Sequence, residues 1–201
     1  AEDPSPRPTA PLAMWALTGT LRSADVLRQL DQYRDAGWGV VLYPRSGLEL
    51  EYLSDAWFER VRFIVEQAAQ REMEVWIYDE YNWPSGHAKG LVTQGHDELV
   101  AEWLEVEADG KNHITKVPGS ANLLLSEATN RFIEVTHERY AQAVGPWFGS
   151  TVRAIFTDEP SLAGQHYTRP TSPTAWRVTW SSAMNAALGG DFPERLAGAK
   201  D

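Results

Sequence analysis

Apolar residues along this chain come in two rhythms that alternate. Short apolar runs at 12–17, 39–43, 74–79 (EVWIYD) and 151–156 have the length of buried strands. Between them the apolar positions recur at helical spacing. Ser23 is a candidate N-cap for a helix over 24–36, with Val26, Leu27, Leu30 and Tyr33 on one face and Arg28, Asp31 and Arg34 on the other. Gly37 ends it. A longer helix begins after Ser54 with Phe58, Val61, Val65 and Ala68 as its stripe. Another begins after Ser126 and carries Phe132, Ile133, Tyr140 and Val144 up to GPWFG, and a last one is predicted over 175–188. One stretch breaks the alternation: 99–108 and 112–117 flank Asp109-Gly110, a strong hairpin signal, and read as a β-rich insertion spanning 91–122.

Strands alternating with helices of a dozen residues predict parallel βαβ units and an α/β fold. Two architectures follow that order, a doubly wound open sheet and a (β/α)8 barrel of TIM type. No G-x-G-x-x-G and no P-loop follows the first strand, and the loops after the third and fourth strands are rich in acids and aromatics. That favours the barrel, whose sites sit at the C-terminal ends of its strands. About four of eight βα units are expected, so 12–201 reads as the N-terminal half of a barrel domain after a Pro-rich leader at 1–11. Half a barrel has open edges, which the rest of a longer chain or a self-partner would cover.

Composition narrows the partners. Eighteen basic against 28 acidic residues give a formal charge of −10 with no basic stripe, which argues against nucleic acid. No apolar run approaches the ~20 residues that span a bilayer. The absence of cysteine excludes disulfides and thiolate chemistry. The opening AEDPSPRPTAP lacks an initiator Met, as a processed secreted or periplasmic protein or an excised fragment would. Nine Trp and seven Tyr are a heavy aromatic load, serving either core packing or stacking against sugar rings.

The candidate chemistry lies at two strand ends. Asp158 and Glu159 follow the fourth strand directly, with Pro160 fixing the exit, and Asp79 and Glu80 occupy the matching place after the third. Glycoside hydrolysis needs two carboxyl groups on different segments, ~5–5.5 Å apart for retention and ~6.5–9.5 Å for inversion. Neighbours on one strand face opposite ways, so one carboxylate must come from each pair. Glu159 and Glu80 are the catalytic candidates, and Asp79, Asp158, Tyr78, Tyr81, Trp83, His87 and Trp15 the substrate-binding ones. The bland reading makes the acid pairs caps or solvated loops and the aromatics packing residues. His96, His113, His137 and His166 show no H-x-H or H-E-x-x-H spacing, so no metal site and no zinc are expected.

These residues also carry a resemblance. YRDAGWGVVLYPRSGLELEYLSDAWFERV, then WIYDEYNWPSGHAKG, then RFIEVTHERYAQAVGPWFGSTVRAIFTDEP are similar to the barrel domain of glycoside hydrolase family 106, the α-L-rhamnosidase-like proteins, over roughly residues 12–162. The most specific pieces are YDE-x-x-x-PSG-x-A and FTDEP. The resemblance implies inverting hydrolysis of a deoxy-sugar glycoside, a possible calcium ion, Glu159 as the general acid and a base on a later strand. Two departures stand out: Lys89 occupies a position where the family prefers glycine, and the 91–122 insertion is short. Two further readings are a non-catalytic carbohydrate-binding barrel and a hydrolase holding a divalent metal on Asp79, Glu80 and Asp158.

Overall fold

The computed structural model describes residues 11–107, 109–162 and 176–198. The chain divides into two compact units, one formed by 1–82 with 136–157 and the other by 83–135 with 158–201.

The first unit carries β1 (Leu12–Gly19), α1 (Ser23–Asp35), β2 (Gly39–Leu48), α2 (Asp55–Ala69) and β3 (Val75–Tyr78). Its four strands are all parallel and lie in the order β1-β2-β3-β6, the last being Val152–Phe156. The expected α/β class is therefore present. Helix α1 buries Val26 and Leu30 and stops in a Schellman turn: Gly37 adopts φ +72°, its N–H donates to the Arg34 carbonyl at 2.8 Å, and Trp38 N–H donates to Tyr33 at 3.0 Å. Helix α2 starts where Ser54 Oγ accepts the Trp57 N–H at 3.2 Å, and it buries Trp57, Phe58, Val61, Ile64, Val65 and Ala68. It touches both α1 and α4 (Arg139–Val144), so the helices form one layer. Gly39 opens β2 because a Cβ there would stand 2.6 Å from the Glu74 carbonyl.

The second unit is built on an antiparallel sheet of order β5-β4-β7, from β4 (Val100–Val106), β5 (Asn112–Ala121) and β7 (Trp176–Trp180). The Asp109-Gly110 turn joins β4 to β5 as expected, with Gly110 at φ +85°. Leu104, Val106 and Trp180 cluster on one face, with Val178, Met184 and Phe192 packed against them from β7, α5 (Ser182–Ala187) and α6 (Phe192–Gly198).

Four expectations need correction. Ser23 does not cap the first helix: α1 begins at Ser23 itself, after Arg22, with no side-chain cap hydrogen bond. The helix predicted over 175–188 begins as strand β7 and becomes helical only at Ser182, because residues 176–180 pair edge to edge with β4. β2 does not stop at Tyr43 but runs on to Leu48, where Leu48 still pairs with Gly19 of β1. The helix after Ser126 is not continuous: α3 (Ser126–Ile133) passes into a π-helical segment at Glu134–Glu138 before α4, and Ile133 is exposed. Its main buried stripe, Ala128, Phe132, Thr136, Tyr140 and Val144, advances by fours, with Ala143 buried beside it. In a regular α-helix each such step turns about 40° too far, and the wider π turn absorbs the drift.

Candidate active site

At the C-terminal end of β3, Asp79 and Glu80 are both fully buried. Asp79 N–H continues the strand ladder to the Phe156 carbonyl at 3.2 Å. Its Oδ2 accepts the Thr157 hydroxyl at 2.6 Å and lies 3.4 Å from His137 Nε2. His137 sits in the π-helical segment, and its Nδ1 is 2.9 Å from Thr136 Oγ1. With Nε2–H donating to the carboxylate, Nδ1 accepts the threonine hydroxyl, so two groups orient one oxygen of Asp79. Glu80 Oε1 accepts the N–H of Tyr81 at 2.9 Å.

Aromatic rings surround these acids. Tyr52 lies 5.7 Å from Tyr81 and 5.6 Å from Trp57, and Trp57 Nε1 donates to the Tyr140 hydroxyl at 3.1 Å. Burial holds the Tyr52 hydroxyl well above the ordinary phenol range, reinforced by Tyr140 and by the Glu80 and Asp79 carboxylates. Burial likewise raises Tyr140, against a lowering hydrogen bond from Trp57. Both phenols therefore stay neutral beside the carboxylates. Tyr43, Tyr78 and Phe156 form a ladder across β2, β3 and β6, with Tyr78 centred 4.2 Å from Tyr43 and stacked on Phe156 at 5.7 Å. Arg45 lies 4.8 Å over the Tyr43 ring and donates to its hydroxyl. Asn82, at φ +63°, ties this end together: Oδ1 accepts Ser46 N–H at 3.0 Å and its own N–H donates to the Pro44 carbonyl at 3.0 Å.

Trp15 turns away from the strand ends towards α1, where Nε1 donates to Gln29 Oε1 at 2.9 Å and its ring lies 5.7 Å from Tyr33. Its neighbours Met14 and Ala16 are exposed on the opposite face of the sheet, Met14 to 46%.

In the second unit, Ser85 is fully buried and clasps Asp158 twice: Ser85 N–H donates to the Asp158 carbonyl at 2.8 Å and Ser85 Oγ accepts the Asp158 N–H at 2.9 Å. Glu159 is exposed and left-handed, at φ +43°. Trp83 is 57% exposed. His87 is fully buried, and its Nδ1 accepts the Ala121 N–H at 2.9 Å.

Sequence reasoning missed Thr157, His137, Tyr52, Tyr140 and Ser85. Ser85 and Thr157 stand within the PSG and FTDEP fragments that the sequence singled out, whereas His137, Tyr52 and Tyr140 come near Asp79 and Glu80 only through tertiary packing. Comparison with known proteins returned no match, whether to a family model, a curated protein or a solved structure.

Proposed function

We propose that this chain contributes the N-terminal four βα units of a (β/α)-barrel glycoside hydrolase, α-L-rhamnosidase-like, acting by general acid/base carboxylate catalysis on an oligosaccharide or polysaccharide. The observation that carries the reading is the pair of fully buried carboxylates, Asp79 and Glu80, at the C-terminal end of a parallel strand among tyrosines. Buried acids at that end of a parallel sheet are where barrel enzymes keep their chemistry, and neutral phenols suit sugar hydroxyls as donors.

Strand order supports the barrel over the doubly wound alternative. A doubly wound sheet reverses its order at a switch point, whereas β1-β2-β3-β6 runs in sequence with its helices in one layer. The opposite face exposes Met14 and Ala16, and β1 and β6 are the outer strands of the described sheet. Further βα units, from the same polypeptide or a second copy, would extend those edges and cover that face.

Glu80 and Glu159 are tested separately. On aryl glycosides of deoxy-sugars, Glu80→Gln is expected to lower kcat by at least a thousandfold with an unchanged circular dichroism spectrum. Glu159→Gln, if Glu159 is the general acid, loses most on substrates with poor leaving groups and little on activated ones. Unchanged rates in both variants would sink the catalytic reading, and saturable sugar binding without turnover in the parent protein would replace it with the carbohydrate-binding one.

A further inference from the structure

Alternation along β4 turns Trp103 and Glu105 to the same face, and the register sets His113 of β5 and Arg177 of β7 opposite Glu105 from its two sides. The Glu105 side chain is fully buried. Its Oε1 meets the Arg177 guanidinium, which lies 3.9 Å over the Trp103 ring, and its Oε2 is 3.2 Å from His113 Nε2. Glu107 follows two residues on, where its N–H donates to the Lys111 carbonyl at 2.7 Å. One donor atom each from Glu105, Glu107 and His113 lies within 4.8 Å of the others.

We propose that Glu105, Glu107 and His113 form a binding site for a divalent first-row transition-metal ion, with Arg177 as the residue that orients Glu105. Two carboxylate oxygens and an imidazole nitrogen, without thiolate, match zinc, nickel or manganese better than a soft ion, and the imidazole disfavours calcium or magnesium. A tetrahedral ion with bonds of ~2.0–2.2 Å spaces its donors ~3.4 Å apart, so Glu105 and His113, 3.2 Å apart, already match and the wider separations of the set, up to 4.8 Å, close by at most about 1.4 Å on binding. Glu107 and His113 have room for that movement, His113 being 45% exposed, while Glu105 is fixed. Arg177 engages the oxygen of Glu105 that faces away from His113, which is how a metal-bound carboxylate is held from outside its coordination shell. The exposed side of His113 leaves a direction open for water or a further ligand.

A plain ion-pair cluster is the alternative, and the charges weigh against it as the whole account. Arg177 already balances Glu105, yet a second carboxylate and an imidazole converge on the same point. Lys111, whose chief partner is Asp109, also feels Glu107 from the exposed turn. The spacing escapes a linear motif because two ligands alternate on one strand and the third crosses from its hairpin partner. This inference does not rest on the hydrolase reading.

The test is calorimetric titration of the chelator-stripped full chain with Zn2+, alongside His113→Ala and Glu107→Gln. Both replaced side chains are at least partly exposed, so the fold is expected to survive, as circular dichroism will check. Expected is saturable binding of one equivalent, weakened at least tenfold by either substitution. No saturable binding in the parent chain, or binding that both variants retain unchanged, overturns the proposal. The second outcome would assign the ion elsewhere, for instance to His96 with Glu98, which stand 3.0 Å apart.

Discussion

Asp79 in the first unit and Glu105 in the second are both fully buried carboxylates, but they are kept buried differently. Glu105 sits mid-strand in an antiparallel sheet, between a guanidinium and an imidazole supplied by the flanking strands. Asp79 sits where a parallel strand ends, held by a threonine hydroxyl and by a histidine on a π-helical turn. Burial alone does not mark an active site. On the proposed reading, the carboxylate held mid-sheet by Arg177 is a fixed anchor, and the one at a strand end beside another buried acid is the candidate for chemistry.

The most direct way to break that comparison is to remove a partner of Glu105. Arg177→Ala leaves a buried carboxylate without its guanidinium and strips a cation from Trp103, which should cost about 3–5 kcal/mol in urea unfolding. Replacing the pair together, Arg177→Met with Glu105→Leu, should restore most of the loss, since a well-packed apolar pair is often as stable as a buried ion pair. A loss below about 1 kcal/mol for the single variant would show that Glu105 does not depend on Arg177.

The first unit is distinguished instead by neutral phenols near acids, and pH exposes it. Tyr52 and Tyr140 keep their protons in the folded chain above the pH at which unfolded tyrosine releases them, about 10. The folded state then binds more protons than the unfolded one, so stability is intact below about pH 10 and falls above it. Two such groups give a slope of up to about 2.7 kcal/mol per pH unit. Urea midpoints at pH 9, 10 and 11 measure it. The double variant Tyr52→Phe, Tyr140→Phe should flatten the curve, and an equal slope in both proteins would mean that these hydroxyls titrate normally.

A smaller effect sharpens the picture of the second unit. Ser85→Ala leaves the Asp158 N–H without its hydroxyl acceptor, at an expected cost of about 1–2 kcal/mol. Ser85→Thr, which keeps the oxygen, should recover part of it if the crowded site accepts the methyl group. An unchanged unfolding midpoint in the alanine variant would show that the clasp between the PSG and TDEP segments adds nothing to stability.

These contrasts also show what the sequence could reveal. The parallel strands, α1 with its Gly37 stop and the Ser54 cap were legible because each rests on local chemistry within a few residues. β7 was not, because Trp176–Trp180 runs straight into the helix-forming residues of 182–187 and becomes a strand only by pairing with β4. At the site, Asp79 and Glu80 stood out as acids at the end of an apolar run. His137 did not, since its approach to Asp79 depends on a π turn about sixty residues along the chain, and no spacing rule relates the two. Trp15 was placed at the mouth from its strand alone, but alternation sends it to the helix layer.

The smallest expected effect concerns Lys89, where the family that the sequence resembles prefers glycine. Ala88 and Lys89 are both left-handed, at φ +50° and +55°, ahead of Gly90 at φ +88°. A side chain in that region costs about 1–2 kcal/mol, while glycine there costs about 0.5–1 kcal/mol in unfolded-state entropy. Lys89→Gly should therefore stabilise the chain by about 0.5–1 kcal/mol, read as a higher urea midpoint. Lys89 is exposed, so the substitution empties no cavity, unlike Ala88→Gly, which would also remove a buried methyl group. A gain would explain the glycine preference as backbone relief in the turn that follows the buried His87. No gain, or a loss, would mean that the lysine side chain makes contacts that offset its strain, and that the preference has some other cause.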